Sequence, residues 1–492
     1  MSDRFESLSL LTDLYQLTMA NGYWADRKAE QEAVFHLFFR KCPFNCGYAI
    51  CAGLQSVLEF LRSFRFDTGD TGYLETIPGN DGQPLFEAGF LRYLADLKLS
   101  IDVDAILEGT VVFPHEPLLR VRGPIIQCQL LETVLLNMIN FQTLIATKAS
   151  RVVAAAQGDP VLEFGLRRSQ GVDGALAASR AAFIGGCAAT SNVLAGKRFG
   201  IPVKGTHAHS WVMSFDSEPE AFAAYAQAMP NNCVFLVDTY DTLQGVRHAI
   251  EAGLRLREQG HRMVGIRLDS GDLEWLSKEA RELLDSAGFQ DASIVASNDL
   301  DEHLVQSLKR QGAAISVWGV GTKLVTAYDQ PALGGVYKLG AIKNAANQWE
   351  PKIKVSEQLI KTSTPGVQQV RRYFAPDGKA SADMIFSEHL APVNPSVIVS
   401  MDDATHRTEI SDQMTCEHLL VPVMRNGRIV FDQPEITQIR ERAFRQLEQF
   451  DETVKRFDNP HRHRVGLEQQ LHDLKLKMVN DARQANAAKV KL

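Results

Sequence analysis

Residues 206–211, Thr206-His207-Ala208-His209-Ser210-Trp211, place two imidazoles, two hydroxyls and an indole side by side. They follow a short apolar run, 201–203, that reads as a strand end, and Gly205 supplies the turn. Such a packet is costly to bury without partners. It is useful where an anion is bound or an imidazole nitrogen is phosphorylated. Neither histidine has the cysteine or carboxylate spacing of a zinc site. A Ser–His hydrolase would need a Gly-x-Ser-x-Gly elbow, which the chain lacks. General acid–base work and covalent phosphorylation of an imidazole remain.

Five further strand–helix junctions carry groups of the same kind. They are Gly165-Leu166-Arg167-Arg168-Ser169-Gln170-Gly171, Asp238-Thr239-Tyr240-Asp241, Arg267-Leu268-Asp269-Ser270-Gly271-Asp272, Ser297-Asn298-Asp299 and Gly319-Val320-Gly321-Thr322-Lys323. Gly319 to Thr322 can turn successive N–H groups and a hydroxyl toward a phosphate, or can simply be a tight turn. Arg167 and Arg168 can fork onto a diphosphate, and Arg267 onto a carboxylate or phosphate. Asp238, Asp269 and Asp272 can hold ribose hydroxyls or Mg²⁺, or can serve as helix caps. Tyr15, in a helix signal with Thr12 or Asp13 as cap and a stop at Asn21-Gly22, is either half-buried core or a plate for a flat ring.

The elements that must position these groups are strand-like runs at 161–164, 201–203, 233–237, 263–266, 293–295, 314–317 and 335–339, with helical segments between. Repeated strand–helix units imply parallel strands whose binding groups gather where strands end. Six or seven in series favour an irregular (β/α) barrel over an open doubly wound sheet. The expected organisation is an N-terminal α+β domain at 1–125, an α/β barrel with the active site at 126–345, and a C-terminal region at 346–492 packing in part with the N-terminal domain. Asn298 or Asp299 is expected to cap the helix carrying Leu300, Leu304 and Leu308. Residues 461–464 (His-Arg-His-Arg) read as a solvated corner, and 484–492 as a fraying end.

With 492 residues, 45% of them hydrophobic, the chain can bury a large core; its net charge of -7 argues against nucleic acid as the main partner. Seven cysteines without framework spacing read as free thiols of a reducing compartment; a metal role for Cys42, Cys46 and Cys51 is the weaker alternative. Residues 1–6 show no leader pattern, and no apolar run reaches the roughly 18 residues a membrane helix needs. A cytoplasmic protein is expected.

The junction motifs resemble those of the nicotinate phosphoribosyltransferase family, in its longer bacterial and animal form. The resemblance rests on LLTDLYQLTMANGYW (10–24), FRKCPFNCGYAICAGL (39–54), EPLLRVRGP (116–124), EFGLRRSQGVDGALAASRAAFIGGCAATSNVLAGKRFGIPVKGTHAHSW (163–211), VDTYDT (237–242), GIRLDSGDL (265–273), SND (297–299) and VWGVGTKLVTAYDQPALGGVYKL (317–339). The C-terminal third resembles the family only loosely.

The resemblance implies an ATP-coupled ligase that joins nicotinate to 5-phosphoribosyl 1-diphosphate in NAD salvage, with Mg²⁺ as cofactor and ATP as co-substrate. It implies a type II phosphoribosyltransferase barrel and a homodimer with each site near the subunit boundary. It makes His209 the phosphohistidine and puts Asp238 at the ribose. Tyr15, Thr206 and Arg267 fall to nicotinate, Tyr15 from its own or the neighbouring subunit. Arg168, with Arg167 beside it, meets the diphosphate, and Gly321 and Thr322 the 5-phosphate. His207 has only a neighbour's role, and the Mg²⁺ ligands are unassigned. Three rivals stand beside this reading: a nicotinamide enzyme, an inactive nucleotide-binding regulator, and a Schiff-base enzyme using Lys204.

Overall fold

The computed structural model describes residues 7–358, 361–391, 396–401 and 403–490. The expectation of no leader falls on residues 1–6, outside the described residues. The helix Gln469–Val490 takes in nearly all of the stretch expected to fray, and 491–492 lie outside the description. The chain divides into two compact units, one of residues 144–331 with 436–441, the other of residues 1–143, 332–435 and 442–492.

The first unit is built on a six-stranded sheet in the order Ala189–Thr190, Val161–Glu163, Val317–Val320, Ser293–Ala296, Gly265–Leu268, Val234–Leu236. Every pairing is parallel. The strands are short, mostly buried and flanked by helices, as strands covered on both faces must be. Beyond Thr190 an isolated parallel bridge reaches Val203. Among the described residues no strand pairing joins that edge to Val234–Leu236, so the structure is a parallel α/β sheet and the expected closed ring is not shown.

Several expected strands shift for identifiable reasons. Residues 201–203 form no strand beyond the single bridge, while the two-residue strand Ala189–Thr190 lacks the apolar run that would announce it. The run at 314–317 precedes the actual strand Val317–Val320, whose two valines, Trp318 and Gly319 also read as part of a binding motif. Residues 335–339 belong to the strand Val336–Lys343, which pairs antiparallel with Glu32–Phe38 in the other unit.

Caps settle which aspartates are structural. Asp272 accepts from the N–H groups of Glu274 and Trp275 and starts the helix Leu273–Ser286. Asp241 caps Thr242–Glu258 in the same way. The helix Glu302–Arg310 is capped by Asp301, not by Asn298 or Asp299 as expected. Each such cap is worth about 1 kcal/mol.

The second unit holds an antiparallel seven-stranded sheet, a mixed six-stranded sheet and a two-stranded pair. Its buried polar centre is Arg372 against Asp383, both fully buried. The corner at 461–464 is exposed at His461, Arg462 and Arg464, as expected, but not at His463. Its side chain is 4% exposed, stacked 4.3 Å from the Phe113 ring, with Nε2 3.5 Å from Asp383. None of the seven cysteines is in a disulfide, and six of them are wholly or partly buried. No helix among the described residues is long and apolar enough to cross a membrane.

Candidate functional site

The C-terminal ends of the parallel strands surround a cavity of about 300 Å³. Its lining includes Arg167, Arg168, Thr206, His209, Arg267, Asp269, Asn298, Asp299, Gly321 and Thr322. Five of the six junction segments, far apart in sequence, thus supply one set of cationic, acidic, hydroxyl and imidazole groups, while 238–241 stays outside the lining. A larger cleft of about 830 Å³ in the other unit is lined by groups such as His406 and His461. Volume favours that cleft, but chemistry favours the smaller cavity, because the junction groups converge there.

Close packing explains two glycines of the rim. A Cβ on Gly165 would lie 2.3 Å from Val325 Cγ1, and one on Gly319 would lie 2.7 Å from the Phe164 ring. These contacts let the arginine turn and the Gly321–Thr322 turn approach each other. Glu163 secures the base of the arginine turn, accepting from Ser179 Oγ at 2.8 Å, from Thr190 Oγ1 at 2.6 Å and from Gly165 N–H. Arg167 and Arg168 stand exposed on the single turn Leu166–Arg168.

Arg267 leaves its strand nearly buried, with a side chain 14% exposed. Nη1 donates to Thr206 Oγ1 at 2.7 Å, while Asp269 is 3.9 Å from Nη2. Its Nε is buried and makes no hydrogen bond. Burial lowers its pKa, with Arg167 adding to the effect and Asp269 opposing it.

Asp238 Oδ2 accepts from Asp269 N–H at 2.9 Å and Ser270 Oγ at 2.6 Å, and Oδ1 is buried without a hydrogen bond. Asp238 therefore anchors the next loop and still keeps one oxygen free. It is joined to the cavity through Asp269 and is not part of its lining.

His209 opens the short helix His209–Met213. Its Nδ1 lies 3.2 Å from Thr239 Oγ1 and its Nε2 3.7 Å from Asp269 Oδ2. Ser297 Oγ in turn donates to Asp269. A proton on Nδ1 facing the threonine leaves an Nε2 lone pair for chemistry.

His207, read from sequence as a mere neighbour, has a structural function. Its Nε2 accepts from Leu236 N–H at 3.2 Å, and its ring meets Tyr225 edge-on at 4.8 Å. Burial pushes its pKa down to about 4, so the ring is a neutral acceptor at neutral pH. Only the neighbouring strand's unpaired N–H reveals this function, and no local pattern signals it.

Tyr15 lies in the other compact unit, on the helix Leu14–Ala25, with 49% of its surface exposed. Lys204 is exposed, the opposite of the desolvated lysine that Schiff-base chemistry uses. Among the described residues no group of three or more His, Cys, Asp or Glu is arranged to hold a metal.

Comparison with known proteins covers most of the chain. The family model described as the nicotinate phosphoribosyltransferase (NAPRTase) family matches residues 160–377, flanked by its N-terminal domain at 10–140 and C-terminal domain at 367–475. The last match is firmer than the loose resemblance expected there. The nicotinate phosphoribosyltransferase of Bacillus subtilis is 44% identical over 484 residues, covering 97% of this chain and 96% of its own length. The Homo sapiens relative is 34% identical over 522 residues, covering 94% and 95%. The crystal structure of human nicotinic acid phosphoribosyltransferase has a TM-score of 0.83 at 32% identity, over 95% of this chain and 99% of that one. A nicotinate-nucleotide pyrophosphorylase from Pyrococcus furiosus shares the fold, with a TM-score of 0.69 at 21% identity over 91% of this chain and 97% of its own. Strand-end chemistry, parallel sheet and sequence matches agree that the chain belongs to the nicotinate phosphoribosyltransferase family.

Proposed function

We propose that this chain transfers the 5-phosphoribosyl group of 5-phosphoribosyl 1-diphosphate to nicotinate, forming nicotinate mononucleotide and diphosphate in NAD salvage, with ATP spent through a phosphate on His209. The observation that carries the proposal is a pair of unsatisfied buried atoms beside one cavity, Arg267 Nε and Asp238 Oδ1. Buried polar atoms are normally paired, so a donor and an acceptor left open at a polar cavity call for a ligand offering both signs. A pyridine carboxylate and a ribose hydroxyl provide them.

In this reading Arg267 and Thr206 grip the nicotinate carboxylate, already aligned by their 2.7 Å hydrogen bond. The ring nitrogen attacks C1 of the ribose as the bond to diphosphate breaks. Positive charge grows on the sugar, negative charge on the leaving group. Asp238 faces the first, and Arg167 and Arg168 the second. Gly321 and Thr322 hold the 5-phosphate.

The donor set fits Mg²⁺, which binds through one or two carboxylates and otherwise through substrate phosphates. Asp269, which lines the cavity, would hold it, and it would offset charge on the departing diphosphate. His209 Nε2 takes the terminal phosphoryl group of ATP as the bond to ADP breaks. The new charge of about −2 then bears on substrate affinity.

The stacking role of Tyr15 and a homodimeric assembly belong to the same proposal through family membership. So does ring closure of the sheet, supported by the Thr190–Val203 bridge and the His207–Leu236 hydrogen bond.

A product assay with nicotinate, nicotinamide and quinolinate in parallel, with and without ATP, tests the reaction. Nicotinate mononucleotide should form fastest, and faster with ATP. Acid-labile phosphate should appear on the wild-type chain under Mg²⁺ and ATP. His209→Ala should lose both label and ATP stimulation while slow transfer persists. Preference for another ring acid, or an unlabelled wild-type chain, would count decisively against the reading.

A further inference from the structure

Two loops face the cavity from adjacent strands, Ser297-Asn298-Asp299 and Gly319-Val320-Gly321-Thr322. The first is strained. Asn298 has φ 100° and Asp299 φ 35°, the left-handed side that non-glycine residues rarely adopt. Such a backbone persists only where its surroundings over-determine it.

Immediately behind both loops lies a chain of ion pairs. Lys323, next to Thr322, donates to Asp301 Oδ2 at 2.6 Å, while Asp301 Oδ1 accepts from Leu304 N–H at 2.8 Å. The next residue, Glu302, meets Lys148 Nζ at 2.7 Å and Arg151 Nε at 2.8 Å. Lys148 also reaches Asp329 at 2.5 Å, in the segment after the helix Thr322–Val325. Lys148, Arg151 and Glu302 are almost wholly buried. Three cations face three carboxylates, so the chain carries no surplus charge for an anion.

We propose that this balanced chain sets the spacing of the two loops, and that Lys323 is a positioning residue for the 5-phosphate of the phosphoribosyl substrate rather than a ligand of it. The inference rests on the phosphoribosyl reading above. Lys323 ties its loop to Asp301, two residues beyond the strained pair, and the Lys148–Asp329 link fixes the far side. A second function follows for the strained loop, since the clamp that holds Asn298 and Asp299 also places Gly321 and Thr322.

The experiment measures KM and kcat for 5-phosphoribosyl 1-diphosphate, KM for nicotinate, and calorimetric binding of ribose 5-phosphate. It compares wild type with Lys323→Met, Lys323→Arg, Asp301→Asn and the Asp301→Asn/Lys323→Met double variant, melting temperatures alongside. Positioning predicts a KM for the diphosphate substrate raised about tenfold in either single variant to neutral, with nicotinate KM within about twofold. The double variant should lose no more than the worse single one, and Lys323→Arg should recover most of the loss.

A direct Lys323–phosphate contact predicts the reverse for Asp301→Asn, because the freed ammonium would bind phosphate as well or better. That result would overturn the proposal, as would additive losses in the double variant. Should Asp301→Asn fail to fold, Asp329→Asn at the far link replaces it, with the same predicted rise in KM. A wild-type chain that binds neither phosphate compound would instead overturn the phosphoribosyl reading itself, and this inference with it.

Discussion

Each unit buries an arginine beside an aspartate, and the two arginines end in opposite conditions. Every nitrogen of Arg372 is bonded. Its Nε and Nη2 bond Asp383 at 2.9 and 2.6 Å, Nη1 bonds Gln446 Oε1 at 3.0 Å, and Nη2 also reaches the Val111 carbonyl at 2.9 Å. Arg267 is left open, with Thr206 at 2.7 Å, Asp269 only at 3.9 Å and Nε without a hydrogen bond. The electrostatics follow the geometry. Burial works against both cations, but Asp383 more than reverses it for Arg372, whereas Arg267 stays lowered. A buried ion pair with every nitrogen bonded holds a fold together. One with donors left over waits for a partner from outside.

The largest expected effect breaks the Arg372–Asp383 pair. Asp383→Asn strands the buried Arg372 charge and should cost about 3–5 kcal/mol of stability, read as a lower urea midpoint. An unchanged midpoint would show that the pair is not a structural anchor. Arg267→Ala should do the opposite, leaving stability nearly intact while kcat/KM for nicotinate falls about a hundredfold. Turnover of nicotinamide, which lacks the carboxylate, should fall much less, and equal losses would remove the carboxylate clamp from the mechanism.

Asp272→Ala sharpens the contrast among the aspartates. As a cap it should lower stability by about 1 kcal/mol and leave substrate KM values alone. An altered KM would return Asp272 to the site.

A further effect is in pH. The folded-state pKa of His207 is lowered to about 4 from 6.5, so the unfolded chain binds its proton first. Its contribution is full above pH 6.5 and is lost as pH falls from there toward 4. His207→Gln, which keeps a neutral acceptor, should flatten that part of the stability profile, and an unchanged profile would refute the assignment.

Much of the sheet was legible because the apolar runs at 161–164, 233–237 and 293–295 are bounded by turn residues that interrupt any longer pattern. The two-residue strand Ala189–Thr190 was not, since its pairing depends on neighbours and not on its own propensity. The site types were legible too, because Gly, Arg, Asp, His and hydroxyls recur at each strand end. Their division of labour was less so. Asp238, Asp269 and Asp272 look alike in a string of letters, yet Asp272 caps a helix, Asp269 lines the cavity and Asp238 anchors the loop between them.

By itself the sequence determined the local grammar of this protein: which runs extend, where they turn, and which chemistry each turn carries. It also carried family membership through motifs spread along the chain. Only the tertiary structure decided that Asp238 keeps an open oxygen, that Arg267 keeps an open nitrogen, and that His207 props a neighbouring strand. The reason is physical. Whether a polar atom is satisfied depends on partners such as Ser270, which lies 32 residues from Asp238 along the chain, and no local pattern records that meeting.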